Sequence, residues 1–186
     1  MHDEKIIVSR IKAGDIAAFR ILVKQYERLV LYMVAKLVKD KEDIEDICQE
    51  VFIKVYQNIS KFKFESKLST WIAQIAYRTT INHLKKYNKF QDKQQDLISI
   101  ENVSHAEDNP EQIYSKEETH VYVNRLIEQL PEQYKIVLTL YHINEFSYQE
   151  IGEITKMPEG TVKNYLFRAR KILKEKLEDY LSKEIA

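Results

Sequence analysis

The chain has 186 residues, 44% of them hydrophobic, with Lys/Arg and Asp/Glu balanced at 29 each. That length suits one ordinary domain or two small ones, and only three Gly and three Pro favour helices over turn-rich β structure. A single Cys excludes a disulfide framework and any Cys-rich metal site. No apolar run approaches the roughly 20 residues of a membrane span, and Met1-His2-Asp3-Glu4-Lys5 does not begin a signal peptide, so a cytoplasmic location is expected.

The zero net charge hides an uneven distribution. Residues 1–90 hold 17 Lys/Arg against 11 Asp/Glu, residues 91–118 hold 2 against 8, and residues 119–186 hold 10 against 10. A nucleic-acid partner is compatible with this balance, because a phosphate feels the local field rather than the sum.

A first short helix is expected over residues 4–12, with Ile7, Val8 and Ile11 on one side. Gly14 ends it and Asp15 caps the next, which runs to about Val38. In that helix Phe19, Leu22, Val23, Tyr26, Val30, Met33, Val34 and Leu37 form the broad apolar stripe of a bundle's central helix. Asp40 caps a third helix, about 41–58, whose core face is Ile44, Ile47, Cys48, Val51 and Val55. Cys48 on that face reads as a buried, inert thiol rather than a nucleophile. The opposite face sets one apolar residue, Ile53, among Asp46, Gln49, Glu50 and Gln57. A single exposed Ile is ordinary; centred in a polar, acidic patch it also has the form of an interface anchor with a rim.

Residues 58–70 read as a loop in which Lys61, Phe62, Lys63, Phe64 and Lys67 interleave cations with rings. Two readings stand for the rings. They stack on unpaired bases while the lysines follow the phosphates, or they plug the end of the bundle. A fourth helix, about 69–87, has its core stripe at Leu68, Ile72, Ile75, Ala76 and Thr79. A second stripe, Trp71, Gln74, Arg78, Asn82 and Lys85, joins an aromatic, two amides and two cations along one line, as a DNA-reading surface would. Periodicity then fails from Asn88 to about Gln112, a polar and acidic stretch read as a flexible linker.

Helix resumes by about Ile113. Val121, Leu126, Ile127 and Leu130 lead to Pro131, which opens a helix over 131–143 with Val137, Leu138, Leu140 and Tyr141 apolar. Ser147 with Glu150 three residues on is a capping box starting a further helix, in which Ile151 and Ile154 are apolar. Pro158 and Gly160 break the pattern. From there Val162, Leu166, Ala169, Leu173 and Leu177 recur at helical spacing. The other face carries Asn164, Phe167 and Lys171, flanked by Lys163, Arg168 and Lys174. Helix, tight turn and a second helix with a basic outer face make a helix-turn-helix, whose second helix enters the major groove. An ordinary helical hairpin with a solvated basic face is the plainer alternative; capping box, turn residues and basic face together favour DNA. No catalytic constellation accompanies it. His2, His83, His105, His120 and His142 are scattered without metal-ligand spacing, and no Gly-rich phosphate loop occurs. Neither metal nor cofactor is expected.

The run from Ser147 to Leu173, with Gly160-Thr161-Val162-Lys163 and Arg168-Ala169-Arg170, resembles region 4 of bacterial sigma factors, best the extracytoplasmic-function (ECF) group of the sigma-70 superfamily. That pattern usually continues Ser-Arg where this chain has Asn164-Tyr165. Thr70-Trp71-Ile72-Ala73-Gln74-Ile75-Ala76 resembles region 2.3 and Tyr77–Lys86 region 2.4, with Tyr77-Arg78 and Asn82 departing from the usual Arg-Asn and Asp. Asp46, Gln49 and Glu50 match the Asp-x-x-Gln-Glu of region 2.2.

The resemblance implies an all-α chain of two small helical domains joined by a flexible acidic linker: residues 1–90 as sigma region 2, 91–112 as linker, 113–186 as sigma region 4. It implies a subunit, not an enzyme, that binds core RNA polymerase and directs promoter-specific initiation, with an anti-sigma factor as a further partner. Asp46, Gln49, Glu50, Ile53 and Gln57 would face the polymerase. Lys61, Phe64, Lys67, Trp71, Arg78, Asn82 and Lys85 would open and read the minus-ten element on the non-template strand. In the second domain Lys163, Arg168 and Lys171 would supply affinity for the minus-thirty-five element. Glu159, Gly160, Thr161 and Asn164, at the start of the recognition helix, would meet the bases. The linker would imitate nucleic-acid charge in the RNA exit path, or act only as a solvated tether. The rival reading is a stand-alone helix-turn-helix regulator, which would need a ligand pocket and a dimerisation helix.

Overall fold

The computed structural model describes residues 2–95 and 116–184. Its helices are α1 (His2–Lys12), α2 (Ile16–Ala35), α3 (Lys41–Asn58), α4 (Leu68–Gln95), α5 (Lys116–Glu128), α6 (Glu132–His142), α7 (Tyr148–Thr155) and α8 (Glu159–Glu184). A single 3-10 turn, Ile59–Lys61, follows α3. No strand occurs among the described residues.

The starts of the helices follow from capping chemistry. The Asp15 carboxylate accepts from the Ala18 amide at 3.0 Å and that of Asp40 from the Asp43 amide at 3.0 Å, each satisfying an amide with no partner inside its own helix. Gly14, at φ 88°, takes the left-handed corner between α1 and α2. Pro131 stands immediately before α6.

Helices α2, α3 and α4 pack on one another, with α1 laid across α2. Val8, Leu22, Val30, Met33, Ile47, Val51, Val55, Ile72 and Ala76 are all buried between them. Ile44 and Cys48, expected in that core, are only half-buried at its edge. Burial raises the Cys48 thiol above its ordinary pKa, so it is unreactive although it is not enclosed. Helix α2 stops at Ala35 rather than near Val38, although Val38 is buried.

Helix α4 runs to Gln95, eight residues beyond the expected end at 87. Loss of apolar periodicity was the signal for that end. Residues 88–95 are mostly Gln and Lys, with no Gly or Pro to break the helix, and their sequence has no apolar period to announce its continuation. The linker assigned to 91–112 therefore begins in helix, and its remainder from residue 96 lies outside the described residues, as do residues 113–115.

The second unit is built from α5–α8. Leu140, Ile151, Ile154, Val162, Leu166 and Ala169 are fully or nearly fully buried, each large aliphatic contributing about 1.5–3 kcal/mol. Ser147 caps α7 in a complete capping box. Its hydroxyl accepts from the Glu150 amide at 3.3 Å, while the Ser147 amide donates to the Glu150 carboxylate at 2.9 Å. Lys156, at φ 63°, turns the chain out of α7. The turn closes so tightly that a Cβ on Gly152 would lie 2.9 Å from the Met157 carbonyl oxygen.

The two units share one apolar cluster. Ile136, Val137, Leu140, Phe146, Ile151 and Ile154 belong to the same buried group as Leu22, Val51 and Ile72, and α7 packs along α4. Of the expected stripe of α4, Leu68, Ile72, Ala76 and Thr79 are buried and Ile75 is half-buried at the edge; Thr70, Ala73 and Thr80 are buried in addition, as befits a helix with neighbours on two sides. Lys36, just after α2, reaches Glu128 of α5 at 2.6 Å, and Lys135 of α6 meets the same carboxylate at 3.0 Å.

Gly152→Ala should destabilise the protein by about 1–3 kcal/mol, because the new methyl presses on backbone that cannot swing away. Gly160→Ala, with nothing within 4 Å of its Cβ, should be neutral or slightly stabilising. Urea titrations of the two variants would check this, and equal midpoints would contradict it.

Candidate nucleic-acid interface

Two surfaces carry the features of a nucleic-acid interface. The first is on α4. Trp71 and Gln74 are half-buried, while Arg78, Asn82 and Lys85 are exposed along the same line. Trp71, Gln74, Arg78 and Asn82 border a polar hollow of about 350 Å³ that Lys54, Asn58 and Lys61 complete from the end of α3 and the turn after it, while Lys85 lies outside it. Lys54 and Asn58 were not anticipated as part of it. They stand on a different helix, and only the α3–α4 packing brings them to the stripe. Lys54 donates to Thr79 Oγ1 at 3.3 Å and pairs with Glu50 at 2.7 Å, while Asn58 donates to the Lys54 carbonyl at 2.9 Å.

The loop leading into α4 divides the two readings of its aromatics. Phe62 is 4% exposed and belongs to the core, packing 5.1 Å from the Trp71 ring. Phe64 is 39% exposed, with its ring 4.7 Å from Phe62. Phe62 is therefore the plug, and Phe64 is a ring left at the surface. Lys61 and Lys67 are exposed on either side.

The second surface is the outer face of α8. Val162, Leu166 and Ala169 turn inward, leaving Glu159, Gly160, Lys163, Asn164, Arg168 and Lys171 exposed and Thr161 half-buried. Lys163 pairs with Glu159 at 2.7 Å and lies 5.4 Å from the centre of the Tyr148 ring. The bond to Glu159 raises the Lys163 ammonium above the ordinary lysine range. Lys171 stands 3.7 Å from Glu175 and Lys174 3.5 Å from Glu178. In the middle of this face is Phe167, 68% exposed, with Arg170, Lys171 and Lys174 around a shallow depression beside it. The sequence put Phe167 on this face without a role. An exposed ring among cations is unusual on a soluble face, whereas apolar groups in the major groove meet thymine methyls.

Beside the first surface the two helical units touch, through α7 rather than the outer face of α8. Lys67 pairs with Glu150 of α7 at 3.0 Å, the Thr70 hydroxyl donates to the same carboxylate at 3.1 Å, and Gln74 Nε2 donates to the Glu153 carbonyl at 2.7 Å. Burial pushes the Glu150 carboxyl up. Bonds from the Ser147 amide and hydroxyl, Lys67 and Thr70 outweigh it and hold the group at about 2.

A third surface, on α3, is of another kind. Asp46, Gln49, Glu50 and Gln57 are exposed around Ile53, itself 56% exposed. Ile53 is not isolated. Together with Ile16, Phe19 and Val23 of α2 and Phe52 and Tyr56 of α3 it lines an apolar groove of about 710 Å³. Phe19 and Tyr56 meet edge to face at 4.9 Å in its wall. One wall of this groove comes from α2, whose Phe19 and Val23 read in sequence as core. Among the described residues no His, Cys, Asp or Glu group could hold a metal ion, and no helix is long and apolar enough to cross a membrane.

Comparison with known proteins follows the same division. Residues 22–90 match the family model for sigma-70 region 2 and residues 120–173 that for sigma-70, region 4. The chain is 34% identical to the ECF RNA polymerase sigma-E factor of Escherichia coli (strain K12), with 94% of each chain covered. It is 31% identical to the RNA polymerase sigma-H factor of Pseudomonas aeruginosa, over 97% of this chain and 96% of that one. Among solved structures its fold is similar to the sigma factor RpoE from Bartonella quintana, crystallised with the anti-sigma factor NepR. That match has a TM-score of 0.67 and 21% identity, over 86% of this chain and 96% of that one. CnrH, in complex with the cytosolic domain of CnrY, gives a TM-score of 0.65 at 15% identity, over 94% of this chain and 96% of that chain.

The Glu150 clasp sets a pH dependence. A carboxyl held at about 2 against an ordinary 4.5 adds stability that is complete above pH 4.5 and lost as pH falls towards 2. Glu150→Gln should cost about 1.5–3 kcal/mol at pH 7, the range for bonds to a charged group. The gap between variant and parent should narrow below pH 4.5 and close near pH 2. Denaturation midpoints measured across that range would check it, and a gap independent of pH would contradict it.

Proposed function

The chain belongs to the sigma-70 family of RNA polymerase sigma factors, in the extracytoplasmic-function group, and we propose on that premise how its surfaces divide the work of initiation. As a sigma factor it is a specificity subunit that binds core RNA polymerase and directs promoter-specific transcription. The chemistry of RNA synthesis belongs to the polymerase. We assign residues 1–90 to core binding and to reading and melting the minus-ten element, and residues 113–186 to reading the minus-thirty-five element. The stretch between them serves as the connection, and the place of work is the cytoplasm.

The observation that carries this assignment is the separation of surfaces. The apolar groove around Ile53 lies on α2 and α3, the polar hollow on α4, and the exposed ring and cations on the outer face of α8. An apolar anchor with an acidic rim suits a protein partner. A line of cations, amides and rings suits nucleic acid. Asp46, Gln49, Glu50, Ile53 and Gln57 would thus dock on the polymerase. Lys61, Phe64, Lys67, Trp71, Arg78, Asn82 and Lys85 would hold the unpaired non-template strand. Lys163, Arg168 and Lys171 would meet phosphates, and Glu159, Gly160, Thr161 and Asn164 would approach the base edges, with Phe167 offering an apolar contact. An anti-sigma protein is a further partner in this reading.

The described arrangement is the free one. Elements named minus ten and minus thirty-five are about 25 base pairs apart, roughly 85 Å of duplex at ~3.4 Å per pair. Lys67 and Gln74 cannot stay bonded to α7 while the two units occupy both elements. Binding at a promoter therefore parts α7 from α4.

Ile53→Glu should leave the isolated protein folded, since the side chain is already solvent-facing, and should weaken assembly with core polymerase by about one to two decades, the worth of a buried Ile. Circular dichroism checks the fold and competition for core enzyme against another sigma factor measures the affinity. Undiminished competition would remove this face from docking. A promoter library scored with the holoenzyme separates two further roles. Lys171→Ala should weaken all promoters and flatten the salt dependence, whereas Asn164→Ala should change the preference among minus-thirty-five sequences. An unchanged preference would rule out base contact by Asn164.

A further inference from the structure

The first helix lies outside both matched family segments, the earlier of which begins at residue 22, and no residue of it was assigned a role above. It nevertheless touches the loop at its most constrained point. Helix α1 packs against the Ile59–Lys61 turn. From its last turn Lys12 donates to the Phe62 carbonyl at 2.9 Å, across 50 residues of sequence. The same ammonium lies 5.9 Å from the centre of the Phe64 ring, and that of Lys5, two turns earlier, is also at 5.9 Å.

Phe64 has φ 60°, the left-handed region that an aromatic residue rarely occupies. Such a conformation persists where its surroundings over-determine it. Four groups do so here. The Phe62 ring fixes Phe64 from within at 4.7 Å. The buried Phe62 itself is wedged against Trp71. Lys12 ties down the Phe62 carbonyl, two residues before the corner, and Lys5 and Lys12 attract the ring through its negative face. The result is a ring held at the surface while the residue two positions before it is buried.

We infer that Lys12 is a positioning residue for strand opening: by holding the Phe62 carbonyl and the Phe64 ring it keeps the loop in the pose that presents Phe64 to an unpaired base. This rests on the reading that Phe64 stacks on the opened strand. Lys12 acts through Phe64 and not on the DNA, so its loss should impair opening without impairing assembly with the polymerase, which uses a different face.

The test uses holoenzyme made from the full chain and core polymerase, on a linear promoter recovered from the library. Permanganate reactivity of thymines reads opening, and competition for core enzyme reads assembly. Lys12→Met should cut open complex about five- to tenfold, the loss of one charge-assisted bond, and leave competition unchanged within about twofold. Lys12→Arg, which keeps a donor and a cation, should recover opening to within about twofold of the parent. In a Phe64→Ala background Lys12→Met should add less than about twofold, because residues acting through one another are not additive. Normal opening by Lys12→Met beside impaired opening by Phe64→Ala overturns the inference and leaves the reading of the loop intact. Normal opening by Phe64→Ala overturns both. Full additivity would make Lys12 an independent phosphate contact, and a loss of opening that only tracks a loss of assembly or folding would make it a strut; either result overturns the inference.

Discussion

One carboxylate, that of Glu150, does two jobs that pull on different parts of the molecule. Within the second unit it closes the capping box of α7, satisfying the Ser147 amide and hydroxyl. Toward the first unit it accepts from Lys67 and Thr70. The charge that starts the first helix of the helix-turn-helix is thus the charge that seats that helix on α4. Burial opposes it, and the sum of donors prevails. Bonds to a charged group are stronger than neutral ones, but this cluster is at the edge of the shared core rather than inside it, so water can replace Lys67 and Thr70 when the units part. The cap needs neither of them. The helix-turn-helix can leave α4 without losing its own first turn.

The same economy governs the outer face of α8. Its cations are engaged with carboxylates one turn away, Lys163 with Glu159, Lys171 with Glu175 and Lys174 with Glu178. Exposed pairs of this kind contribute at most about 0.2–1 kcal/mol, so exchanging a carboxylate for a phosphate costs little. This is how a helix whose cations are partly offset by acids can bind nucleic acid: the acids hold down the positive charge of the free surface and yield to a polyanion with a far higher density of charge. The whole chain repeats the pattern, with zero net charge over a basic first part.

What could be read from the sequence was what depends on local order. Asp15, Asp40 and Ser147 announced their caps because a cap is a contact within three residues. The apolar stripe of α8 gave its buried side, and Ile53 stood out as exposed because its neighbours on the helix were polar. The parts that failed were made by chain segments distant in sequence. Phe19 and Val23 read as core and Ile16 had no assignment, yet they form one wall of the Ile53 groove. Lys54 and Asn58 joined the α4 stripe only after packing. Thr70 and Ala73 gave no sign of burial, since the helix that covers them lies some 80 residues on, as the Thr70–Glu150 bond records. The extra turns of α4 failed for the opposite reason: a polar stretch without Gly or Pro can stay helical while showing no apolar period to detect. Phe167 and Gly152 could have been found, the one as a large ring on a polar face, the other as a glycine inside a helix that had no other use for it.

Among the described residues, three other than glycine have positive φ: Phe64, Glu145 and Lys156. None is in the interior of a helix, and each stands beside a piece of the proposed machinery. Lys156 ends α7 where a glycine would be the easy choice, and with Gly152 against the Met157 carbonyl it fixes how α8 leaves α7. Glu145 precedes the buried Phe146 and the Ser147 cap, so it sets the entry into the same motif. Phe64 sets the loop before α4. Left-handed corners of this sort cost of the order of 1 kcal/mol or more each and are retained only where neighbouring contacts outweigh them. Here those contacts are the core residues on either side: Phe62 and Leu68 around the first corner, Leu140 and Phe146 around the second, Thr155 and Val162 around the third. The two helical units are therefore more than carriers for their exposed side chains. Their cores supply the free energy that holds three unfavourable corners, and the corners determine where the ring of Phe64 and the outer face of α8 point.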